Sequence, residues 1–179
     1  MQHDTPPKRA RLYAKFLTTL AVSGALMLAL MYLHTYDLEH VYWSETRAYM
    51  ALIMVSAMAL VMLVFMIDMY RDKRANAGIV LGSAALFALS LWLVRSQLTI
   101  DDRDYMEGMI PHHSIAILTS ERARIQDARV RALADAIIEA QRREIEQMQW
   151  LIEDIEAHGP ATTQQAAAQR PIPALDASP

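Results

Sequence analysis

The sequence predicts an all-α protein in which three transmembrane helices precede an antiparallel two-helix hairpin and a disordered C-terminal tail. Three observations lead to this fold class. The chain contains three long apolar runs without a charged residue, two amphipathic segments of helical periodicity follow them, and the last residues have no periodicity. In a chain that is 54% hydrophobic but only 7% aromatic, such runs are typical of membrane spans rather than of a soluble core.

The predicted spans cover residues 16–33, 48–67 and 76–94, within a membrane region of 16–97 that follows a basic N-terminal segment, 1–15. Eighteen helical residues rise about 27 Å, which is close to the hydrocarbon thickness of a bilayer. Bulky residues rather than a small-residue cleavage site follow the first run. We therefore expect it to be an uncleaved anchor and not a signal peptide.

Lysine and arginine residues flank the spans unevenly. Four of them precede the first span and three lie between the second and third, but only Arg47 lies between the first and second. The positive-inside rule then places the N-terminus in the cytoplasm and, after three spans, the C-terminal region outside. Tyrosines and tryptophans near the predicted outer ends agree with this orientation. In a bacterium, the chain would be a multi-pass protein of the inner (cytoplasmic) membrane with a periplasmic C-terminal domain.

The amphipathic part of the chain, residues 101–158, predicts an extracytoplasmic helical hairpin. Its first helix begins at a cap provided by Asp101 or Asp102 and runs to about Arg124, and Pro111 inside it predicts a kink. After a turn and a new cap at Gln126 and Asp127, the second helix continues to the end of this range, where Gly159 and Pro160 stop it. Two helices joined by a short turn must lie antiparallel.

The remaining residues, 159–179, are rich in Pro, Ala and Gln and are expected to be disordered. A hairpin of this length buries too little surface to be stable by itself. It therefore needs a second copy, the membrane region or a bound ion. A homodimer that forms a four-helix bundle is the simplest solution.

The middle of the hairpin carries side chains that bind soft metal ions. On the first helix, Met109 can share a face with both His112 and His113 because they lie three and four residues further along. Antiparallel pairing brings the middle of the second helix close to them, and there the polar Gln141 interrupts the apolar stripe. Imidazole and thioether donors favour Cu(I), whereas harder ions prefer carboxylate oxygens. The candidate metal ligands are Met106, Met109, His112, His113, Gln141, Glu144 and Met148.

Each of these side chains also has an ordinary structural interpretation. Methionine at helical spacing is usually part of the packing, and a histidine on an apolar stripe is usually a hydrogen-bonded core residue. The spacing alone therefore leaves two alternatives open. One is a metal-binding module, and the other is a structural hairpin that dimerises without a metal and uses the histidines in a hydrogen-bonded network.

Two short motifs resemble the bacterial domain-of-unknown-function 305 family. That family has M-I-x-H-H-x-x-A on its first helix and Q-x-x-E-I-x-x-M-x-x-W-L on its second. The chain resembles it from about Asp101 to His158, and the matching residues are Met109, Ile110, His112, His113 and Ala116, then Gln141, Glu144, Ile145 and Met148. Trp150 and Leu151 follow Met148 one position earlier than the W-L pair of the family pattern.

The resemblance implies a ferritin-like helical hairpin, in a family whose members are largely secreted or periplasmic and are in some cases linked to copper binding and copper tolerance. It also implies that the metal-associated positions are Met109, His112, His113, Glu144 and Met148. The three spans ahead of the domain depart from the simpler secreted members. The copper-binding members are richer in Met-x-x-Met repeats than this chain.

The segment between the first two spans adds further polar side chains. We expect it to be a solvated interfacial loop, with an auxiliary metal site as the alternative if the hairpin packs down onto the membrane. The side chains concerned are His34, Asp37, Glu39 and His40.

Composition and spacing exclude several other functions. The chain has no cysteine, so thiolate metal sites and disulfides are excluded. The range 101–158 holds thirteen acidic and seven basic residues, which is not the basic surface of a nucleic-acid-binding protein. No glutamate precedes a histidine by three residues, which argues against a di-iron enzyme of the ferritin type. We therefore expect a binding protein and not an enzyme.

Overall fold

The computed structural model describes residues 6–174, and this part of the chain is all-helical, with no strand. The predicted all-α class is therefore confirmed. A short 3₁₀ turn, Leu38–His40, lies between the first two helices. The α-helices are α1 (Pro6–Leu30), α2 (Glu45–Phe65), α3 (Lys73–Ser96), α4 (Asp102–Arg122), α5 (Ala128–His158) and α6 (Gln164–Gln169).

The chain divides into two compact units. The first contains the described residues up to Met31 together with Thr46–Thr99, and hence α1, α2 and α3. The second contains Tyr32–Glu45 together with the chain from Ile100 onward, and hence the 3₁₀ turn, α4, α5 and α6. The segment that joins the first two apolar helices is thus part of the same compact unit as the C-terminal helices.

Three helices of the first unit are long and apolar enough to cross a membrane, as predicted. These stretches are Arg9–Leu30, Glu45–Phe65 and Lys73–Ser96. Most of their side chains are exposed, among them Val61, at 55%, and Leu81, at 70%. Apolar side chains on the outside of a helix group are typical of helices that face lipid.

The helix boundaries differ from the predicted spans by several residues. Helix α1 begins about ten residues before the predicted span, at Pro6, because the basic segment ahead of the apolar run continues the helix. A proline is compatible with a first helical turn, where its missing N–H has no partner to lose. Helix α1 also ends at Leu30, three residues before the predicted end.

Helices α1 and α2 approach closely at Gly24. A Cβ atom at this position would lie 2.7 Å from Cγ2 of Val55, so a larger residue would force the helices apart. Tyr13 donates a hydrogen bond to Oδ1 of Asn76 at 2.7 Å, and Nδ2 of Asn76 donates to the carbonyl of Tyr70 at 2.7 Å. Small residues and hydrogen bonds of this kind hold apolar helices together where the hydrophobic effect is weak.

Helix α4 begins and ends close to the predicted positions. Asp101 is its N-cap and accepts from the backbone N–H of Asp104, whose carboxylate in turn accepts from the backbone N–H of Asp101. This is a capping box, which satisfies N–H groups at the start of the helix. Pro111 lies inside the helix and is buried, and the helix continues through it.

Helix α5 also follows the prediction. It starts after the N-cap Asp127 and ends at His158, where Gly159 has a φ angle of +74°. Its buried residues pack with those of α4 in one hydrophobic core, against which Tyr42 also packs. The buried members of this core are Met106, Ile110, Ile117, Ile145, Met148 and Ile152.

Side chains of α4 contact side chains of α5 in reverse order. The further along α4 a residue lies, the earlier in α5 its partner lies. Arg103 near the start of α4 pairs both with Glu107 on its own helix and with α5 near its end. The contacts between the helices include Arg103 with Glu156, His113 with Glu144, and Glu121 with Arg142.

The tail was predicted to be disordered, but its described residues include a short helix and contacts with α5. Thr163 caps the short helix α6 by accepting from the backbone N–H of Ala166 at 3.2 Å. Arg170 then forms an ion pair with Asp154 of α5 at 2.6 Å and donates to the carbonyl of Gly159 at 3.1 Å. These bonds hold this part of the tail against α5. Residues 175–179 of the predicted tail lie outside the described residues.

Candidate functional site

His113 is a partly buried histidine whose buried ring nitrogen Nδ1 has no hydrogen-bond partner among the described residues. Its side chain is only 14% exposed. Burial lowers the pKa of the His113 imidazole below its usual value, and nearby His112 acts in the same direction, while the carboxylate of Glu144 acts against them. The neutral ring is therefore favoured, and a neutral ring nitrogen can act as a metal ligand.

The side chain nearest to this nitrogen is a carboxylate from α5. Oε2 of Glu144 lies 3.4 Å from Nδ1 of His113 and accepts a hydrogen bond from Nε2 of Gln141 at 3.3 Å. The distance between Oε2 of Glu144 and Nδ1 of His113 is within the range of an ion pair. The lowered pKa of His113 favours a neutral imidazole, however, and a neutral ring forms no salt bridge. The structure thus brings together three of the sequence-predicted residues.

The neighbouring histidine has a different environment. The His112 side chain is exposed, and its ring centroid lies 6.1 Å from that of His113. Consecutive residues of a helix point about 100° apart, and the burial of the two rings differs accordingly, with His113 partly buried and His112 exposed.

The predicted methionines fall into two groups. Met106 and Met148 are buried in the core, at 6% and 9% exposure, where their thioethers pack against isoleucines. Met109 is only partly buried and packs at the edge of the same core. Because Met109 lies one helical turn before His113, it is the thioether best placed to act together with the histidine.

The site contains few of the carboxylate ligands that a hard metal ion prefers. Among the residues that the structure describes, no group of three or more His, Cys, Asp or Glu side chains is arranged to hold an ion. A soft ion such as Cu(I) can instead use imidazole nitrogen and thioether sulfur. The unsatisfied nitrogen of His113 and the nearby Met109 fit this donor set, whereas Met106 and Met148 have the surroundings of packing residues.

The structure also reveals a polar contact that the sequence did not predict. Ser114 is fully buried on α4, and its hydroxyl oxygen accepts from the backbone N–H of Tyr36 at 2.7 Å and lies 3.0 Å from Nδ1 of His40. The interpretation of this segment as a solvated loop is therefore wrong for His40, which is half-buried. One signal was present, because Ser114 lies on the helix face of the buried Ile110 and Ile117.

The remaining polar side chains of this segment are exposed, as predicted. His34, Asp37 and Glu39 are exposed, and the carboxylate of Asp37 caps the 3₁₀ turn by accepting from the backbone N–H of Glu39 at 3.3 Å. This segment and parts of α4 and α5 line an open cavity of about 350 Å³. The residues of the segment that line it include Asp37, Glu39 and His40. An auxiliary metal site here finds no support, since no suitable ligand group is present among the described residues.

Comparison with known proteins identifies the family. The profile of the family described as "Domain of unknown function (DUF305)" matches residues 102–174. The chain is also 32% identical, over 112 residues, to "Uncharacterized protein L153" of Acanthamoeba polyphaga mimivirus, and the match covers 59% of this chain and 69% of the viral protein. The chain therefore belongs to the domain-of-unknown-function 305 family, which confirms the resemblance of its two motifs.

The two matches differ in extent. The similarity to the viral protein is longer than the stretch matched by the family profile. Because only residues 175–179 follow that stretch, the similarity must also run back into the segment before Asp102. No solved structure matches the chain.

Proposed function

We propose that this protein is a membrane-anchored, extracytoplasmic metal-binding protein that binds copper as Cu(I) in copper homeostasis or tolerance. The observation that carries the proposal is the buried, unsatisfied Nδ1 atom of His113. A buried polar atom without a partner costs free energy, on the order of 1–3 kcal/mol. A ligand that accepts its lone pair would remove that cost.

The donor set argues for a soft ion. His113 and Met109 provide imidazole nitrogen and thioether sulfur, and the exposed His112 can add a second imidazole by turning its side chain. Glu144, whose carboxylate accepts a hydrogen bond from Gln141, lies 3.4 Å from Nδ1 of His113 and supports the site by its charge. Loss of a supporting group next to a metal ligand typically changes metal affinity about 10- to 100-fold.

The charge pattern supports a location of this site outside the cytoplasm, in the inner membrane of a bacterium. Basic residues precede the first span and lie in the loop between the second and third spans, and the positive-inside rule favours the cytoplasmic side for both segments. The loop between the first and second spans belongs to the same compact unit as α4 and α5. This shared unit supports the proposed topology, in which both segments lie on the same side of the membrane.

The proposed activity is binding and not catalysis. Copper bound at the edge of an antiparallel hairpin could be buffered, sensed or passed to another protein outside the cytoplasm. The spans carry no charged residue in their apolar centres, so we assign them the role of an anchor and not of a transport path.

Equilibrium dialysis of the full chain in detergent micelles tests the proposal. Wild type, the double variant His112→Ala/His113→Ala and the control His158→Ala are each dialysed against Cu(I) and, separately, Zn(II). His158 is exposed at the end of α5 and interacts with Asp154, so its loss should leave binding unchanged. The proposal requires that wild type and the control bind Cu(I) in preference to Zn(II) and that the double variant does not. Equal copper binding by all three would refute it.

The alternative is a structural module that dimerises without a metal, and one observation favours it. Three large apolar side chains of α5, Val130, Leu133 and Ile137, are 49%, 61% and 36% exposed and lie on one side of the helix. A second copy would bury them, in a homodimer compatible with either function. A metal-free dimer that Leu133→Glu converts to a monomer, together with no difference in copper binding between wild type and the histidine variant, would select this alternative.

A further inference from the structure

A single buried hydroxyl fastens the segment between the first two apolar helices to α4. The oxygen of Ser114 accepts from the backbone N–H of Tyr36 at 2.7 Å and lies 3.0 Å from Nδ1 of His40. Ser114 itself is completely buried. The two bonds therefore join the start and the end of the segment Tyr36–His40 to one point on the helix.

A close approach shortly after this segment brings the chain near the same helix again. Gly108 lies six residues before Ser114, and a Cβ atom at this position would lie 3.3 Å from the hydroxyl oxygen of Ser44. Ser44 is buried as well, and Tyr42 packs against the core between α4 and α5. The segment therefore has a defined docked position and is not simply solvated.

The charged groups around His40 come from two elements. Asp37 and Glu39 lie on the segment itself, and Arg142 and Glu146 of α5 line the same cavity as His40. Helix α4 contributes Ser114 and Ile117, neither of which titrates. Arg142 also lies over the ring of Tyr36, 5.9 Å from its centroid, and pairs with Glu121 at 2.6 Å.

We propose that the segment Tyr36–His40 is an acid-released clamp, held on α4 while the His40 ring is neutral and freed when that ring is protonated. The proposal concerns the docking of this segment and does not depend on metal binding.

The hydrogen bonds give the first reason. The Ser114 hydroxyl has one proton to donate, and with its oxygen accepting from Tyr36 it can donate that proton to an unprotonated Nδ1 of His40. A protonated ring presents an N–H at Nδ1 in place of a lone pair. The Ser114 hydroxyl must then donate its proton to another acceptor inside a fully buried site, or the His40 ring must move away from Ser114.

Burial gives the second reason, and it acts in the same direction. Burial lowers the pKa of His40 below its usual 6.5, against the opposing effect of Asp37 and Glu39. When the pH falls below the usual pKa of histidine, the His40 ring of the released segment becomes protonated before the ring of the docked segment. The stabilisation of the docked state by neutral His40 is therefore fully present above the usual pKa. It is lost as the pH falls through the lower pKa of the docked ring.

Amide hydrogen exchange of the full chain in lipid nanodiscs, with a chelator present, tests this. Exchange rates are corrected for the intrinsic effect of pH and compared at about pH 7.5 and about pH 5, which bracket the range where histidine titrates. In wild type we expect the amides of the segment to lose protection several-fold at the lower pH, while those of α4 and α5 keep theirs. His34→Asn, which changes an exposed histidine nearby, should behave like wild type.

Two variants distinguish the clamp from a general effect of acid. His40→Asn keeps an acceptor near the position of Nδ1 but cannot become charged, so its segment should stay protected at both pH values. Ser114→Ala removes the anchor and should leave the segment unprotected at both. No loss of protection in wild type, or an equal loss in His40→Asn, would overturn the proposal.

Titration of the His40 ring by nuclear magnetic resonance supplies an independent measurement if His40→Asn fails to dock. The midpoint of segment release should coincide with the midpoint of the His40 titration in wild type. Release at a pH where His40 does not titrate would equally overturn the clamp.

Discussion

His112 and His113 are neighbours in sequence but have different chemical environments. The ring of His113 enters the interface with α5, where burial lowers its pKa and leaves one nitrogen without a partner. The side chain of His112 is exposed. In the proposed copper site, we therefore propose His113 as the primary ligand and the exposed His112 as a second ligand.

Met109 and Met148 also differ in burial, and this difference leads to a prediction. Met109→Leu should weaken Cu(I) binding by about tenfold or more, the scale observed when a group that supports a metal site is lost, because a leucine has no sulfur donor. Met148→Leu should leave Cu(I) binding unchanged and cost less than about 1.5 kcal/mol of stability, because it exchanges core residues of similar volume. Competition with a Cu(I) chelator measures the first effect and thermal unfolding the second.

The two variants are matched, since each replaces a methionine of the hairpin by leucine. A loss of copper binding in Met148→Leu with none in Met109→Leu would place the sulfur ligand in the core and contradict the assignment made here.

Sequence reasoning found some site residues and missed others for a physical reason. Helical periodicity shows which face of each helix is apolar, and polar residues that interrupt or border this face can be recognised from the sequence. These residues are His113, Gln141 and Glu144. Ser114 and His40 are 74 residues apart, and their contact depends on how a loop docks on a helix. No periodic pattern encodes that contact.

At the scale of single elements, capping fixes where the helices of the second unit begin. Asp101 accepts from the N–H of Asp104 at 2.9 Å in the capping box of α4. Asp127 caps α5, and its bonds with Arg129 lower its pKa to about 2. Each cap removes unsatisfied N–H groups, and this is why both helix starts were predictable from sequence.

The cap of α4 can be tested directly. Asp101→Ala should destabilise the second unit by about 1 kcal/mol, the usual cost of losing an N-cap side chain. Asp101→Asn should be nearly neutral, since asparagine is an equally good cap. Chemical denaturation of the full chain in micelles, followed by the fluorescence of Trp150 in a Trp43→Phe/Trp92→Phe background, measures both. Equal stability of Asp101→Ala and wild type would show that the capping box contributes nothing.

The tail was the element that sequence reasoning described least well. Helix α6 has only six residues, which is too short for a helical periodicity to be recognised and too short to be stable alone. It is held in place by the pairing of Arg170 with Asp154, a tertiary contact. Such a contact follows from the fold and not from local composition.

At the scale of the whole molecule, the three apolar helices were predictable from length and composition because a bilayer requires both. The membership of Tyr32–Glu45 in the second unit was not predictable in this way. It depends on the buried contacts of that segment with α4.

Topology gives a prediction at this scale. The natural chain has no cysteine, so a single introduced cysteine reports the side of the membrane on which it lies. Glu153→Cys, on an exposed position of α5, should react with a membrane-impermeant maleimide in intact cells. Lys73→Cys, at the start of α3, should react only after the cells are permeabilised. The reverse pattern would place the hairpin in the cytoplasm.

X-ray absorption spectroscopy of the Cu(I)-loaded full chain tests the central claim most directly. We predict a first coordination shell that contains sulfur, from Met109, together with the multiple scattering of imidazole, from His113 and His112. In His113→Ala the imidazole scattering should become weaker while the sulfur is retained. A spectrum that is identical in wild type and His113→Ala, or a shell without sulfur and imidazole scattering, would contradict the assignment of this histidine to a soft-metal site.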